Sequence, residues 1–244
     1  MSGFHTDEGL VDMLGNAELV DLTGLSGTNC YCDGQSEEKI REAVSGLPLN
    51  AVHWIDTGDY HYLTKFWLEK VEEPFALLLI DHHPDMQEPA FESLSCGGWA
   101  RDSFTSMENM KQVLMVGIDP DLELEILDLM FDGVLAVTDE DLRHTGDAIS
   151  TDVKEMISLL EPGIPVYVSI DKDALTKEYA STDWDHGCMT LGQLKAVIDA
   201  VSASHRIIGV DVCGGLTVNK GAKDADMELN LRTDTEIRNY LENL

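Results

Sequence analysis

Short apolar runs rich in Val, Ile and Leu recur along the chain, with stretches of helical periodicity between them. This alternation is typical of parallel strands that crossover helices bury on both faces, so it predicts an α/β fold with a mostly parallel sheet. Gly and Pro fall singly at the ends of these stretches, and no internal repeat is present, which predicts one domain over residues 1–244. The predicted strands cover residues 18–22, 51–56, 76–81, 112–118, 133–138, 165–170 and 206–212.

The stretches between these runs carry apolar residues three and four apart, the spacing of an amphipathic helix. Ser36 precedes acidic residues and Thr190 precedes an apolar-periodic stretch, so both are predicted to cap the N-termini of helices. The predicted helices cover residues 36–45, 60–71, 121–130, 148–160, 190–202 and 234–244.

Acidic residues far outnumber basic ones: 46 Asp and Glu stand against 16 Lys and Arg, a formal net charge of −30. A groove that follows a phosphate backbone would have to form against this field, so we expect no nucleic-acid partner. No apolar run approaches the roughly 20 residues of a membrane span, and the N-terminus lacks a basic start, so we expect a cytoplasmic protein with no membrane partner. The odd number of scattered cysteines predicts reduced thiols. They are Cys30, Cys32, Cys96, Cys188 and Cys213.

The apolar run 76–80 ends abruptly in Asp81, His83 and Asp85. Ligands bind at the carboxyl ends of the strands in an open parallel sheet, so the position of these polar residues is informative. On an extended chain every second side chain points the same way, which would bring the two carboxylates and the imidazole of this group together.

Two further strand ends carry residues of the same kind. The predicted strand 165–170 is followed by Asp171 and Asp173, at the same alternating spacing, and His61 follows the predicted strand 51–56. Four carboxylates this close would repel one another strongly at low dielectric unless cations lay among them. Two divalent cations would balance four carboxylates and leave room for one bridging hydroxide.

Carboxylate and imidazole ligands without a thiolate suit Mn²⁺ best, with Fe²⁺, Co²⁺ or Zn²⁺ as substitutes. Two such ions about 3.5–4 Å apart lower the pKa of a shared water and polarise an electrophile. The predicted reaction class is therefore hydrolysis, and the predicted cofactor is two Mn²⁺ per chain.

Two segments resemble the D-A-H-x-D and S-x-D-x-D motifs of the ureohydrolases, the family of arginase, agmatinase and formimidoylglutamase. They are 81–85, Asp-His-His-Pro-Asp, and 169–173, Ser-Ile-Asp-Lys-Asp. The segment 58–61, Gly-Asp-Tyr-His, is similar to the G-G-D-H segment upstream, although only Gly58 and His61 match. The resemblance extends from about Gly58 to Val212 and implies a three-layer α/β/α fold with a sheet of about eight strands.

The resemblance also implies how the cations are held. One manganese would bind His61, Asp81, Asp85 and Asp171, and the other would bind Asp81, His83, Asp171 and Asp173. Asp81 and Asp171 would therefore bridge, and Asp85 would also act in catalysis by orienting the attacking hydroxide. The substrate implied is a small amidino, guanidino or related compound with a C–N bond other than a peptide bond, and assembly into trimers or hexamers is implied as well.

The sequence departs from the family at residues that handle substrate. Gly214 stands where the family carries a glutamate that grips the guanidinium group, so the protein is not expected to be a standard arginase. Cys96 takes the place of a histidine that transfers protons, although an unperturbed thiol pKa near 8.5 suits that task less well. His186, after the second motif, is a further candidate for the missing polar group.

Two other interpretations remain open. The chain could retain the fold and the ions without turnover and act by binding a ligand or partner, because intact metal ligands beside lost substrate residues agree with that function too. It could also belong to the related deacetylase branch, which binds one zinc and has two adjacent histidines upstream. The pair His82-His83 lies inside the metal motif itself, which disfavours the deacetylase interpretation.

Overall fold

The computed structural model describes residues 1–15, 17–88, 93–129 and 131–244. Within these residues the main sheet has six parallel strands in the order β2-β8-β7-β3-β5-β6, and β1 and β4 form a separate antiparallel pair. The strands are β1 (Tyr31–Cys32), β2 (Val52–Trp54), β3 (Phe75–Ile80), β4 (Leu94–Ser95), β5 (Met110–Ile118), β6 (Val134–Thr138), β7 (Val166–Asp171) and β8 (Ile207–Cys213).

Helices cover both faces of this sheet. They are α1 (Phe4–Asp7), α2 (Leu10–Leu14), α3 (Gly34–Ser45), α4 (Thr64–Leu68), α5 (Trp99–Ser106), α6 (Pro120–Leu129), α7 (Asp139–Leu142), α8 (Thr151–Ile157), α9 (Leu191–Ser202) and α10 (Asp224–Leu241). In the described part of the chain, 3₁₀ turns cover Gly58–Leu63, Lys172–Ala174 and Val218–Lys220. None of the described helices combines the length and apolar character needed to cross a bilayer.

The alternation of side chains along β3 shows why its residues are all apolar. Leu78 and Ile80 pack with residues of α8, α9 and α10, whereas Leu77 and Leu79 pack with residues of α3, α4 and α5 on the opposite face. All six β3 side chains are buried. The predicted three-layer α/β class is therefore correct, and a strand covered on both faces requires this continuous apolar run.

The predicted count of about eight strands in one sheet is too high, because the described sheet contains six. The predicted strand 18–22 is wrong: this segment forms no ladder, and Leu19 is 62% exposed. Asp21 accepts hydrogen bonds from the backbone and hydroxyl of Thr23, a local turn that competes with strand pairing. The other six predicted strands correspond to β2, β3, β5, β6, β7 and β8.

The predicted helices exist, with different boundaries. The region 60–71 divides into a 3₁₀ turn and the short α4, and α8 is shorter than predicted. Asp33, not Ser36, caps α3, because its side chain accepts a hydrogen bond from the Ser36 backbone. Thr190 caps α9 as predicted. The last helix begins ten residues early, at Asp224, and Met130 of the predicted helix 121–130 lies outside the described residues.

Candidate metal centre

All six predicted metal ligands lie at the carboxyl edge of the main sheet. β3 and β7 are neighbours, with Ile80 opposite Ile170, so Asp81, directly after β3, and Asp171, the last residue of β7, lie at the same level. Asp173 lies in the 3₁₀ turn after β7, and His61 lies in the 3₁₀ turn that follows β2. The sheet topology thus brings together three segments that are far apart in sequence.

Asp85 reaches the site through a turn rather than through an extended chain. Its φ of 49° is in the left-handed region, so the strand-like alternation expected for residues 81–85 stops before it. The Asp85 carbonyl accepts hydrogen bonds from the first turn of α5, and its Oδ2 accepts one from Trp99 Nε1 at 2.5 Å. The side chain meets the others because this turn and α5 fix it.

Two groups of ligand atoms share Asp81, and Asp171 belongs to neither of them but lies with His61 in a further group. One group is His61, Asp81 and Asp85, and the other is Asp81, His83 and Asp173. His61 Nδ1 lies 3.0 Å from Asp81 Oδ2 and 3.1 Å from Asp85 Oδ2. His83 Nδ1 lies 3.0 Å from Asp173 Oδ2 and 3.7 Å from Asp81 Oδ1. Within each group the ligand atoms lie within 4.8 Å of one another, the spacing of groups that face one ion.

The orientation of the His61 ring is fixed by hydrogen bonds on the side of the ring that faces away from the carboxylates. Its Nε2 lies 2.8 Å from Ser169 Oγ, and Ser169 donates a hydrogen bond of 2.6 Å to Asp211. The serine hydroxyl is thus used as a donor, so it accepts from His61 Nε2–H, and in the neutral ring the Nδ1 lone pair faces the carboxylates. His61 Nδ1 is buried and has no hydrogen-bond partner among the described residues. A cation at this point would satisfy it.

The pKa shifts reveal an excess of negative charge. Burial raises the pKa of Asp85, and burial together with Asp173 raises that of Asp171. Burial and Asp81 raise the pKa of Asp173 to about 6. Burial alone would lower the pKa of His83, but Asp173 and Asp81 raise it to about 12. The carboxylates thus favour uptake of positive charge.

Burial alone would likewise lower the pKa of His61, but Cys213, Asp81 and Asp85 together raise it well above its usual value. Protons and divalent cations compete for the same atoms in such a site. Three features of the site fit a pair of divalent cations. They are the carboxylate and imidazole donors in two groups, the His61 Nδ1 atom that has no hydrogen-bond partner among the described residues, and the excess of carboxylates over positive charge.

A cavity of about 260 Å³ opens onto these residues. Cys96 contributes to its lining and is buried. Burial, followed by the charge of Asp85, raises the pKa of the Cys96 thiol, so it is protonated near neutral pH and is a weaker acid than an ordinary thiol. The structure therefore brings Cys96 to the site without activating it.

His186 does not reach this cavity. Its Nδ1 lies 2.9 Å from the Leu175 carbonyl, and its Nε2 contacts Thr182, so both ring nitrogens are used within the loop. The structure thus gives no support to the predicted catalytic role of His186. The same loop reaches the cavity through Trp184, whose ring meets His83 edge-on with centroids 5.6 Å apart.

The structure has no room for a side chain at the position where the family carries its glutamate. Gly214 has a φ of +96°, and a Cβ on it would collide with Asp171 Oδ1. A Cβ on Gly215 would collide with the ring of Phe4, which is fully buried. Backbone conformation and packing therefore both exclude a larger residue where a guanidinium-binding carboxylate would stand.

Several residues that support this site were not assigned a role from the sequence. Trp99, Trp184 and Ser169 orient or cover predicted ligands, and Cys213 donates a hydrogen bond of 3.0 Å to Asp171 Oδ2. Burial and Asp171 raise the pKa of the Cys213 thiol well above its usual value. Ser169 and Cys213 had a sequence signal, since Ser169 is the first residue of the S-x-D-x-D motif and Cys213 directly follows the predicted strand 206–212. Trp99 and Trp184 had none.

The chain matches the model of the arginase family over residues 53–214. This match spans more than half of the sequence, and the chain belongs to the arginase family. Members of this family hydrolyse C–N bonds other than peptide bonds and typically bind divalent metals. The resemblance found in the two aspartate motifs is thereby confirmed.

One relative is similar to most of the chain. An uncharacterized protein of Thermotoga maritima is 30% identical over 178 residues, which are 72% of this chain and 63% of that protein. The chain thus spans less than two thirds of the length of this relative.

Two solved structures share the fold. Formimidoylglutamase of Bacillus subtilis has a TM-score of 0.65 and 13% identity, with 93% of this chain and 69% of that chain covered. Arginase of Bacillus caldovelox has a TM-score of 0.62 and 14% identity, with 95% and 89% covered.

Proposed function

We propose that this protein is a hydrolase that uses two divalent cations to cleave a C–N bond, other than a peptide bond, in a small amidino, guanidino or related compound. The observation that supports this most directly is the pair of ligand groups that share Asp81, with the orphaned His61 Nδ1 in one of them. When bound, two such cations lower the pKa of water and polarise a trigonal carbon. Mn²⁺ is the cation that the carboxylate and imidazole donors of these two groups favour.

The residues of the chain have separate tasks in this function. Asp81, Asp171 and Asp173 supply negative charge that holds the cations, and His61 and His83 supply neutral nitrogen ligands. Asp85 accepts a hydrogen bond from the attacking water and aims it, and the Trp99 Nε1–H fixes the Asp85 carboxylate at 2.5 Å. Trp184 forms a wall of the cavity beside His83, which limits access of bulk water.

The same geometry argues against arginine as the substrate. Apart from the six proposed metal ligands, none of the described residues that line the cavity carries a charge. A guanidinium group would lose its hydration there without gaining a counter-charge, since Gly214 and Gly215 have no room for a carboxylate. Within the proposed substrate class, compounds whose reacting group is uncharged, or whose charge lies at the rim of the cavity, are therefore expected to be the better substrates.

Product release is expected to depend on added metal and on Asp85. The test is to incubate the manganese-loaded protein with a panel of guanidino, formimino and amide compounds and to measure ammonia, urea and amine release. Asp85→Asn is expected to reduce release by about 10²- to 10³-fold, the cost of losing one oriented polar group at a reacting centre. Asp152→Asn, on an exposed position of α8, is the matched control and should retain full activity.

The opposite results would also be informative. Turnover that survives chelation of the metal, or an Asp85→Asn variant as active as the control, would contradict the proposed mechanism. No product from any compound of a broad panel, with both cations bound, would favour the alternative of a ligand-binding protein without turnover.

A further inference from the structure

Cys213 lies against the proposed metal centre although no ligand motif includes it. It is the last residue of β8 and pairs in register with Asp171, the last residue of β7. Its Sγ lies 3.0 Å from Asp171 Oδ2, and the side chain is fully buried. The ligand atoms of His61, Asp171 and Cys213 all lie within 4.8 Å of one another, as in the two ligand groups that share Asp81.

The backbone fixes this sulfur in place. Gly214 N donates a hydrogen bond to the Asp56 carbonyl, so β8 remains tied to the end of β2 just beyond Cys213. Cys213 belongs to the core on the face covered by α3, α4 and α5, and it forms no disulfide. A thiol held between two ordered strand ends has little freedom to turn away from Asp171.

A second, independent feature points to an ion at this position. His61 Nδ1 is completely buried, has no hydrogen-bond partner among the described residues and lies 3.6 Å from Asp171 Oδ2. Ser169 and Asp211 hold the ring so that this nitrogen faces the carboxylates. In the neutral ring this nitrogen presents a lone pair to carboxylate oxygens 3.0 and 3.1 Å away, and a cation shared with Asp171 and Cys213 would compensate that repulsion.

We infer that Cys213 is a sulfur ligand of the cation held by His61 and Asp171, and that the two halves of the metal pair therefore prefer different metals. This inference rests on the proposed pair of cations. When the sulfur–metal bond forms, the Cys213 S–H proton leaves to solvent and the hydrogen bond to Asp171 Oδ2 is lost, which frees that oxygen for the same ion.

The consequence is a division of metal preference within one site. Thiolate is a soft ligand that selects Zn²⁺, and also Co²⁺ or Fe²⁺, over Mn²⁺. The half formed by Asp81, His83 and Asp173 contains only oxygen and nitrogen donors and suits Mn²⁺. The protein is thus expected to take up one softer ion and one harder ion when both are supplied.

Cobalt substitution tests this assignment because a cobalt–thiolate bond has a charge-transfer absorption in the near ultraviolet. The metal-free full chain is titrated with Co²⁺, and absorbance and bound cobalt are measured for wild type, Cys213→Ser and Cys96→Ser. Cys96 lines the same cavity, so its variant is the matched control. We expect the band in wild type and Cys96→Ser, and its loss in Cys213→Ser while cobalt still binds. The zinc affinity of Cys213→Ser should fall by more than about 100-fold, since loss of a residue that only orients a ligand already costs about 10- to 100-fold.

A measurement on wild type alone keeps the test decisive if Cys213→Ser does not fold. X-ray absorption of the protein loaded with one Zn²⁺ is expected to show a sulfur neighbour at about 2.3 Å. If metal binds but shows neither a sulfur neighbour nor a charge-transfer band, the proposed role of Cys213 as a ligand is overturned. The proposed metal pair would stand, and the thiol would then only donate a hydrogen bond to Asp171. Failure to bind Co²⁺, Zn²⁺ or Mn²⁺ would overturn the proposed function itself and this inference with it.

Discussion

Replacing Asp81 by asparagine is expected to empty both halves of the metal centre and to reduce turnover by more than about 10³-fold, beyond the cost of losing one oriented donor. Asp81 is the one residue common to the two ligand groups, so the substitution removes a charge from each. Asparagine has the same shape but is a weak ligand for a divalent cation. Elemental analysis of the dialysed protein and assays of product release measure the two effects.

The stability of the metal-free variant separates loss of the site from loss of the fold. Asp81 raises the pKa of Asp173, so removing its charge should relieve repulsion between these two carboxylates, but it also removes the ion pairs of Asp81 with His61 and His83. Because these two effects oppose each other, the metal-free Asp81→Asn protein should stay folded and unfold at a urea concentration close to that of the metal-free wild type. A variant that keeps two cations and full turnover would contradict the role given to Asp81.

Replacing Lys172 by methionine is expected to lower the free energy of unfolding by about 3–5 kcal/mol. Lys172 Nζ lies 2.7 Å from both oxygens of Asp234, and both side chains are fully buried. The neighbouring Glu8 is also buried, and its Oε2 has no hydrogen-bond partner in the described structure. Loss of the ammonium would leave the buried Asp234 carboxylate without its hydrogen-bonded counter-charge, which is costly. Urea unfolding of the metal-free proteins gives the difference.

Two further variants show whether the cost comes from the unpaired charge. The double variant Lys172→Met with Asp234→Leu should recover most of the lost stability, because it removes both buried charges together. Lys195→Met, which breaks a partly exposed ion pair with Glu236, should change stability by less than about 1 kcal/mol. A Lys172→Met protein as stable as the Lys195→Met protein would show that the buried pair does not stabilise the fold.

The fold was largely predictable because its main signal is local. β3 consists of consecutive apolar residues, and such a run fits a strand buried on both faces by helices whose apolar spacing is also visible in the sequence. The segment 18–22 shows the limit of that signal. Its composition favours a strand, but Asp21 forms a turn with Thr23 instead. Whether such a segment becomes a strand depends on pairing with another strand, which the local composition does not indicate.

The candidate site was predictable to the extent that it depends on strand ends. Asp81 and Asp171 follow strands that prove to be neighbours, so residue type and position sufficed to place them together. The roles of Phe4 and Cys213 were not predictable, because they depend on contacts between distant segments. Phe4 is some two hundred residues from Gly215 in the chain, and nothing in either segment indicates that the ring fills that space.

The metal pair itself is tested most directly by crystals of the metal-loaded protein, with anomalous diffraction measured at the absorption edge of the bound metal. The account predicts two peaks about 3.5–4 Å apart. One should be bounded by His61 and Asp85, the other by His83 and Asp173, and both should contact Asp81. A folded, metal-saturated protein with no peak between these side chains, or with a single ion bound elsewhere, would contradict the account.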